Sequence, residues 1–176
     1  MSRAVFLDRD GVINRAFVRE GKSYPPASLA EVEILPQVEL ALNNLKTAGY
    51  LLIVVTNQPD VATGKTSKLV VEQINHYLGK SLPIDEFRTC YHDDKDRCQC
   101  RKPLPGALFD AAIEYHIDLK RSFMIGDRWK DIEAGRAAGC KTFFINYGYQ
   151  EKQPDYPDFI VASLAEAAEI IIGEFI

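Results

Sequence analysis

The sequence has no excess of positive charge and no long apolar run. Its 21 lysine and arginine residues are outnumbered by 25 aspartate and glutamate residues, which gives a formal net charge of −4. A nucleic-acid-binding domain needs a basic surface to neutralise phosphates, so we expect no nucleic-acid partner. Crossing a bilayer takes roughly 20 consecutive apolar residues, and the sequence has no such run, so we expect no membrane partner either.

Cysteine is also scarce. The 176 residues contain four cysteines, and three of them lie between positions 90 and 100. The opening residues, Met1 to Arg3, run directly into a predicted strand, so we expect no signal peptide and a cytoplasmic location. In that reducing compartment a cysteine cluster binds metal more often than it forms disulfides.

Neither internal repeats nor low-complexity segments interrupt the chain, and we predict one domain over residues 1–176. Short apolar runs alternate with helical patterns, which predicts a three-layer α/β fold with a Rossmann-like, mostly parallel sheet. The predicted strands cover residues 4–7, 51–55, 87–90, 122–125, 142–145 and 159–161. The predicted helices cover residues 36–48, 67–78, 106–116, 129–138 and 163–173. Residues 15–30 are predicted to form a long irregular loop or flap, and loops of this length are usually functional.

Polar residues follow three of the predicted strands abruptly, and a lysine precedes one of the predicted helices. This set consists of Asp8, Asp10, Thr56, Asn57, Asp127, Asp131 and Lys102. The carboxyl ends of parallel strands meet in one crevice of a doubly wound sheet, so these groups should lie together. Carboxylates favour Mg²⁺, and a hydroxyl, an amide and a lysine suit a phosphate beside that ion. The chemistry implied is phosphoryl transfer to a carboxylate nucleophile.

Two members of this set have a simpler interpretation. Asp131 lies inside a predicted helix and Lys102 in a charged loop, so each also fits an ordinary solvated surface residue. Asp8, Asp10 and Asp127 lie at the ends of buried strands, and a surface role explains them poorly.

A second constellation consists of Cys90, His92, Cys98 and Cys100, in a Cys-x-His and a Cys-x-Cys motif separated by five residues. Three thiolates and one imidazole complete the tetrahedral ligand set of Zn²⁺, and a closed set of four is structural rather than catalytic. The alternative, three free cysteines in an apolar core, fits poorly because most neighbouring residues are charged or polar. Cys140 precedes a strand and is predicted to be a buried free thiol.

Four motifs, in their order along the chain, resemble those of the haloacid dehalogenase superfamily of phosphatases. They are Asp8-Arg9-Asp10-Gly11-Val12, Thr56-Asn57, Lys102 and Gly126-Asp127-x-x-x-Asp131. The resemblance implies a haloacid dehalogenase-like fold in which Asp8 attacks phosphorus. It implies that Asp10 protonates the leaving oxygen and then activates water.

The same resemblance implies roles for the remaining members. Thr56 and Lys102 would hold the phosphoryl oxygens, and Asp131 would orient Lys102. Asp127, the Asp8 carboxylate and the Asp10 carbonyl would bind Mg²⁺.

The zinc motif narrows the resemblance. The zinc loop contains Cys-x-His and ends in Cys-x-Cys-Arg-Lys-Pro, whose lysine is Lys102. Together with Asp-Arg-Asp-Gly-Val-Ile-Asn and Thr-Asn-Gln, these motifs resemble those of the bacterial D-glycero-D-manno-heptose-1,7-bisphosphate 7-phosphatases. Histidinol-phosphate phosphatases share this subgroup and its zinc loop, and they are the alternative. The subgroup has no cap domain, which is consistent with a monomer. The resemblance implies a small phosphorylated substrate contacted by Asn57, Arg101 and Arg128, with Mg²⁺ and Zn²⁺ bound.

Two features depart from the heptose enzymes. Residues 58–64 replace their usual Ser-Gly-Ile-Ala-Arg-Gly run, and the zinc loop, residues 90–100, is short. Both lie where we expect the wall of the substrate cleft. The motifs therefore determine the type of reaction better than the identity of the substrate. A phospho-acceptor signalling domain also clusters aspartates, threonine and lysine at strand ends, but it needs neither Asp10 as acid and base nor a zinc loop.

Overall fold

The computed structural model describes residues 1–175, so the last residue of the predicted domain, Ile176, lies outside the described residues. The strands are β1 (Arg3–Leu7), β2 (Phe17–Arg19), β3 (Lys22–Tyr24), β4 (Tyr50–Asn57), β5 (Glu86–Cys90), β6 (Phe123–Gly126), β7 (Lys141–Ile145) and β8 (Phe159–Val161). The α-helices are α1 (Val38–Thr47), α2 (Lys68–Ser81), α3 (Gly106–Tyr115), α4 (Trp129–Ala138) and α5 (Leu164–Phe175).

Six strands form one sheet in the order β5-β4-β1-β6-β7-β8, and each neighbouring pair is parallel. β1 lies inside this sheet, where Leu7 pairs with Val54 on one side and Ile125 on the other. Its residues Ala4 to Leu7 are fully buried, as expected of a strand covered on both faces. The predicted parallel α/β sheet is therefore confirmed.

Helices cover both faces of the sheet and complete the three predicted layers. Leu42 of α1, Leu78 of α2 and Ile171 of α5 belong to the core on one face. Leu108 of α3 and Ala138 of α4 belong to the core on the other face. Burying one such leucine or isoleucine contributes about 1.5–3 kcal/mol, so the two cores hold the sheet edge that carries the polar residues in a fixed shape.

The segment predicted to be irregular, residues 15–30, contains a short hairpin instead. β2 and β3 pair antiparallel through a turn at Glu20 and Gly21, whose φ angles are +49° and +73°. Two-residue hairpin turns of this kind need positive φ at both positions, which glycine adopts at little cost. Both strands are short, largely exposed and without an apolar run, which is why the sequence did not predict them.

β4 is longer than predicted. Its last two residues, Thr56 and Asn57, pair with Thr89 and Cys90 of β5. Both candidate site residues therefore lie on a hydrogen-bonded strand and not in the loop that follows. No helix among residues 1–175 is long and apolar enough to cross a membrane.

Candidate active site

The polar residues at the strand ends come together as the topology predicts. β1, β4 and β6 are adjacent, and Asp8, Thr56 and Asp127 lie at their carboxyl ends. Each of these three residues is at least nine-tenths buried. The simple surface interpretation of Lys102 and Asp131 is wrong, because their exposures are only 1% and 2%.

Lys102 lies between two carboxylates. Its Nζ is 3.0 Å from Asp8 Oδ1 and 2.6 Å from Asp131 Oδ1, and it donates to the Val55 carbonyl at 2.6 Å. Burial opposes its charge, but the Asp131 and Asp8 carboxylates together hold the pKa of Lys102 above its usual value. The ammonium is therefore charged and fixed in direction.

Asp8 keeps one oxygen free. Its Oδ1 accepts from Lys102 Nζ at 3.0 Å and from the Arg9 backbone N–H at 2.9 Å. Oδ2 has no hydrogen-bond partner within the described part of the chain, and Asp8 lines a cavity. Burial, followed by the Asp131 carboxylate, raises the pKa of Asp8 from 3.8 to about 6. The group is a carboxylate at neutral pH with one oxygen available.

Asp127 also has one hydrogen-bonded carboxylate oxygen and one that is available. Oδ2 accepts from the Tyr149 hydroxyl at 2.7 Å, while the buried Oδ1 has no partner among residues 1–175. Burial, followed by the Asp8 carboxylate, raises the pKa of Asp127 well above its usual value. Gly11 permits the close approach: its φ is +86°, and a Cβ there would lie 2.0 Å from Asp127 Oδ2.

Acidic charge is in excess at this point of the fold. Carboxylate oxygens of Asp8, Asp127 and Asp131 all lie within 4.8 Å of one another, with Lys102 Nζ bonded to two of them. Asp131 is fully engaged, since its other oxygen accepts from the Arg128 N–H at 3.0 Å. The two carboxylates with a free oxygen are therefore Asp8 and Asp127, and an oxygen-seeking cation fits between them.

Three buried polar side chains surround Asp10. Its carboxylate accepts from Arg9 Nε at 3.2 Å, Asn14 Nδ2 at 3.0 Å and Gln58 Nε2 at 2.9 Å. Gln58 also donates to Thr56 Oγ1 at 2.9 Å, which joins the first and second motifs. Arg9 and Gln58 were not predicted as site residues, although both lie within or next to the motifs that contain Asp10 and Thr56.

Asn57 holds the backbone of Lys102. Its Nδ2 donates to the Lys102 carbonyl at 2.9 Å, and its Oδ1 accepts from the Lys102 N–H at 3.1 Å. Both polar atoms of the amide are therefore used to fix another site residue. Asn57 still lines the cavity, but its contacts are those of a positioning group.

A cavity of about 170 Å³ opens above these groups. Its lining comes from the reaction centre, the hairpin, the loop after β4 and the start of α4, and includes Asp8, Ser23, Tyr24, Pro59, Asp60, Arg128 and Lys130. Arg128, a predicted substrate contact, lines this cavity, and its Nη2 is 2.6 Å from Glu151 Oε2. Lys130 was not predicted.

Arg101 lies beside the cavity and not in its lining. Its Nε is 2.8 Å from Asp94 Oδ1, and Lys130 Nζ is 3.8 Å from the same oxygen. Asp94 belongs to the predicted zinc loop, so this loop holds both cations at the edge of the site. The expected contact of Arg101 with substrate stays a prediction.

The four predicted zinc ligands, Cys90, His92, Cys98 and Cys100, also lie close together. Cys90 Sγ lies 3.1 Å from Cys100 Sγ, 3.7 Å from Cys98 Sγ and 3.4 Å from His92 Nδ1. The four ligand atoms all lie within 4.8 Å of one another. Burial raises the pKa of Cys140, which lies apart from this cluster, to about 12, as suits an unreactive buried thiol.

Comparisons with known proteins agree with this architecture. Residues 99–167 match the HAD-hydrolase-like family model. The chain is 32% identical to the D-glycero-beta-D-manno-heptose-1,7-bisphosphate 7-phosphatase of Pasteurella multocida over 98% of both proteins. It is 36% identical to the protein of the same name from Helicobacter pylori (strain J99), covering 80% of this chain and 81% of the relative.

Structural similarity extends over the same length. The crystal structure of D,D-heptose 1.7-bisphosphate phosphatase from B. bronchiseptica, complexed with magnesium and phosphate, matches with a TM-score of 0.80 at 28% identity. The match covers 98% of this chain and 99% of that one. The chain therefore belongs to the haloacid dehalogenase-like hydrolase family, in the branch that contains the D-glycero-beta-D-manno-heptose-1,7-bisphosphate 7-phosphatases.

Proposed function

We propose that this protein is a Mg²⁺-dependent phosphatase that hydrolyses a small phosphorylated sugar through an aspartyl-phosphate on Asp8. One observation carries the proposal: the cavity-lining Asp8 has one oxygen fixed by the Lys102 ammonium and the other free. The substrate we propose is D-glycero-beta-D-manno-heptose 1,7-bisphosphate, which would lose its 7-phosphate. The names of the relatives support this choice.

The residues present fit Mg²⁺. Asp127 Oδ1 is buried without a partner among residues 1–175, and the ligand atoms that these carboxylates offer are all oxygen. Asp8, Asp127 and the Asp10 carbonyl would hold the ion. When bound, Mg²⁺ neutralises negative charge on the nucleophile and on the phosphoryl group, so that two anions can approach each other.

The chain's own groups account for the first half of the reaction. One oxygen of the Asp8 carboxylate attacks phosphorus, and the bond from phosphorus to the sugar oxygen breaks. Asp10 donates a proton to that leaving oxygen, which departs as a sugar hydroxyl. Lys102 and the Thr56 hydroxyl hold the phosphoryl oxygens, because preorganised donors stabilise the charge that develops there.

The second half-reaction uses the same residues. Asp10, now a carboxylate, takes a proton from water, and the water oxygen attacks phosphorus. The acyl-phosphate bond breaks, which releases inorganic phosphate and restores the Asp8 carboxylate. General acid–base catalysis of this kind contributes roughly 10²–10⁴-fold in rate.

The rim of the cavity supports a substrate with a second anionic group. Arg128 and Lys130 line it, and Arg101 is close enough to Lys130 for its charge, after burial, to lower the pKa of that lysine. Arg128 is bonded to Glu151 and Arg101 to Asp94 through short contacts, whereas the Lys130 ion pair is 3.8 Å long. Lys130 is therefore the cation best able to turn toward a second phosphate.

We further propose a structural Zn²⁺ held by Cys90, His92, Cys98 and Cys100. Four of the six distances between the ligand atoms are 3.1–3.7 Å and all six are within 4.8 Å, so one Zn²⁺ with bonds of about 2.0–2.3 Å would reach all four. A reduced thiolate set of this kind suits the cytoplasm, where we place the protein. We also propose a single, capless domain that acts as a monomer.

The decisive experiment is a substrate panel with Mg²⁺. We expect purified protein to release phosphate from the heptose bisphosphate with a higher kcat/KM than from histidinol phosphate or a heptose monophosphate. The Asp8→Asn variant should be inactive although folded, and Asp110→Asn, an exposed acid on α3, should match the wild type. Turnover by folded Asp8→Asn would exclude Asp8 as nucleophile. A preference for histidinol phosphate would contradict the proposed substrate but not the proposed reaction.

A further inference from the structure

The loop that follows β7 contacts three separate parts of the candidate site. The sequence shows only that this stretch is rich in tyrosine, glycine and proline. In the structure, the Tyr149 hydroxyl donates to Asp127 Oδ2 at 2.7 Å, and the Tyr147 hydroxyl donates to the Gly11 carbonyl at 2.9 Å. Residues 147–151, which we term the tyrosine segment, therefore reach both the proposed metal ligand and the turn after Asp8.

Tyr149 decides which oxygen of Asp127 is available. Its exposure is 8% and that of Asp127 is 1%, so water has little access to their hydrogen bond. The Gly11 backbone closes in on the same Oδ2 from another side. The phenol is the donor in this hydrogen bond, because an ionised carboxylate can only accept. Oδ1 is left without a partner among the described residues and is held in one direction.

The same segment also fixes the groups that shape the substrate cavity. The Gln150 N–H donates to the Gly21 carbonyl at 2.8 Å, and a Cβ on Gly21 would lie 2.5 Å from Gln150 Cγ. The turn of the hairpin is therefore packed directly on this segment. Glu151 accepts from Arg128 Nη2 at 2.6 Å and from its Nε at 3.1 Å.

We propose that Tyr149 is a positioning residue for Asp127, and that the tyrosine segment holds the metal ligand, the hairpin and Arg128 in one fixed arrangement. The proposal rests on the proposed function, because it takes Asp127 as a Mg²⁺ ligand. It adds a residue that acts on the cation without touching it. Outer hydrogen bonds to metal ligands of this kind typically change metal affinity by about 10–100-fold.

The test is Mg²⁺ binding measured by titration calorimetry at pH 7.5 without substrate. We expect Tyr149→Phe, which removes one oxygen atom, to bind Mg²⁺ about 10–100-fold more weakly than the wild type. The matched control is Tyr156→Phe, because Tyr156 lies in the same loop and is 84% exposed, and it should bind like the wild type. A melting curve without Mg²⁺ establishes that each variant is folded.

A second readout works on the wild type alone and does not require any variant to fold. Binding of Mg²⁺ to Asp127 should perturb the hydrogen-bonded phenol of Tyr149, which gives a tyrosine ultraviolet difference spectrum. Wild-type Mg²⁺ affinity in Tyr149→Phe, or no difference spectrum in the wild type despite binding, would overturn the role of Tyr149 alone. Failure of the wild type to bind Mg²⁺ at all would overturn the metal site of the proposed function together with this inference.

Discussion

At the scale of single residues, the site is dominated by charges that lack enough partners. Its acids outnumber the cations buried among them. The acids are Asp8, Asp10, Asp127 and Asp131, and the cations are Arg9 and Lys102. Burial, followed by the neighbouring carboxylates, raises the pKa of Asp8 from 3.8 to about 6 and the pKa of Asp127 well above its usual value. A site built to hold a cation and a phosphate is therefore under electrostatic strain when neither is bound.

This strain predicts that Asp8→Asn stabilises the metal-free protein. A folded-state pKa above the unfolded value means that ionisation of Asp8 opposes folding once the pH exceeds about 6. We expect a higher melting temperature for Asp8→Asn than for wild type at pH 7.5 in a Mg²⁺-free buffer. The difference should shrink as the pH falls below about 6 and disappear below pH 3.8, where Asp8 is protonated in both states. Equal or lower stability of the variant at pH 7.5 would contradict the proposed charge excess, and Asp110→Asn serves as the control.

Lys130 carries a second prediction at this scale. A hydrogen bond to a charged group contributes about 1.5–3 kcal/mol, so Lys130→Gln should lower kcat/KM for the bisphosphate by about tenfold or more. Hydrolysis of a monophosphate of the same sugar should change less than twofold. The control is Lys152→Gln, because Lys152 is half exposed, paired with Glu133 and outside the cavity. Equal losses of kcat/KM on both substrates would show that Lys130 does not bind the second phosphate.

At the scale of elements, the sequence predicts strands and helices that are marked by buried residues, and it misses short exposed strands. Six strands of the sheet and five helices were predicted because apolar runs or helical periodicity mark most of them. The hairpin was missed because its two three-residue strands are largely exposed and lack the apolar run that marks the equally short β8. The role of residues 147–151 was missed because it depends on contacts with residues more than 20 positions away along the chain, such as Tyr149 with Asp127.

The zinc loop and β4 make separable contributions to the position of the cations. Asn57 fixes the Lys102 backbone from β4, independently of the metal, whereas Asp94 of the loop holds Arg101 and Lys130. Cys98→Ser should therefore lose zinc and raise KM for the bisphosphate more than it lowers kcat. Asn57→Ala should lower kcat by about 10²-fold with zinc retained, because small displacements of a catalytic group cost about that much. Elemental analysis and steady-state kinetics on both variants check this, and a reversed pattern would contradict the division of roles.

At the scale of the whole molecule, the fold brings together residues that are more than a hundred positions apart. Asp8 and Asp127 meet because β1 and β6 are neighbours in the sheet, although α1, α2 and α3 lie between them in sequence. This convergence could be predicted, since parallel strands place their carboxyl ends at one edge. Which oxygen atoms remain free could not be predicted, because that depends on side-chain contacts such as those of Tyr149 and Lys102.

Binding of Mg²⁺ should therefore stabilise the entire fold and not only the site. A ligand at 100 times its dissociation constant adds about 2.7 kcal/mol, which corresponds to about 5–10 °C in melting temperature for a chain of this size. The effect should be smaller at pH 5 than at pH 7.5, because below about pH 6 the Asp8 carboxyl holds a proton that must leave before the cation binds, and the raised pKa of Asp127 acts in the same direction. Asp127→Ala should lose most of the shift at both pH values, whereas Asp110→Ala should keep it. Melting curves with and without Mg²⁺ check this, and a shift that is equal or larger at pH 5 would show that these two carboxyls do not hold the ion.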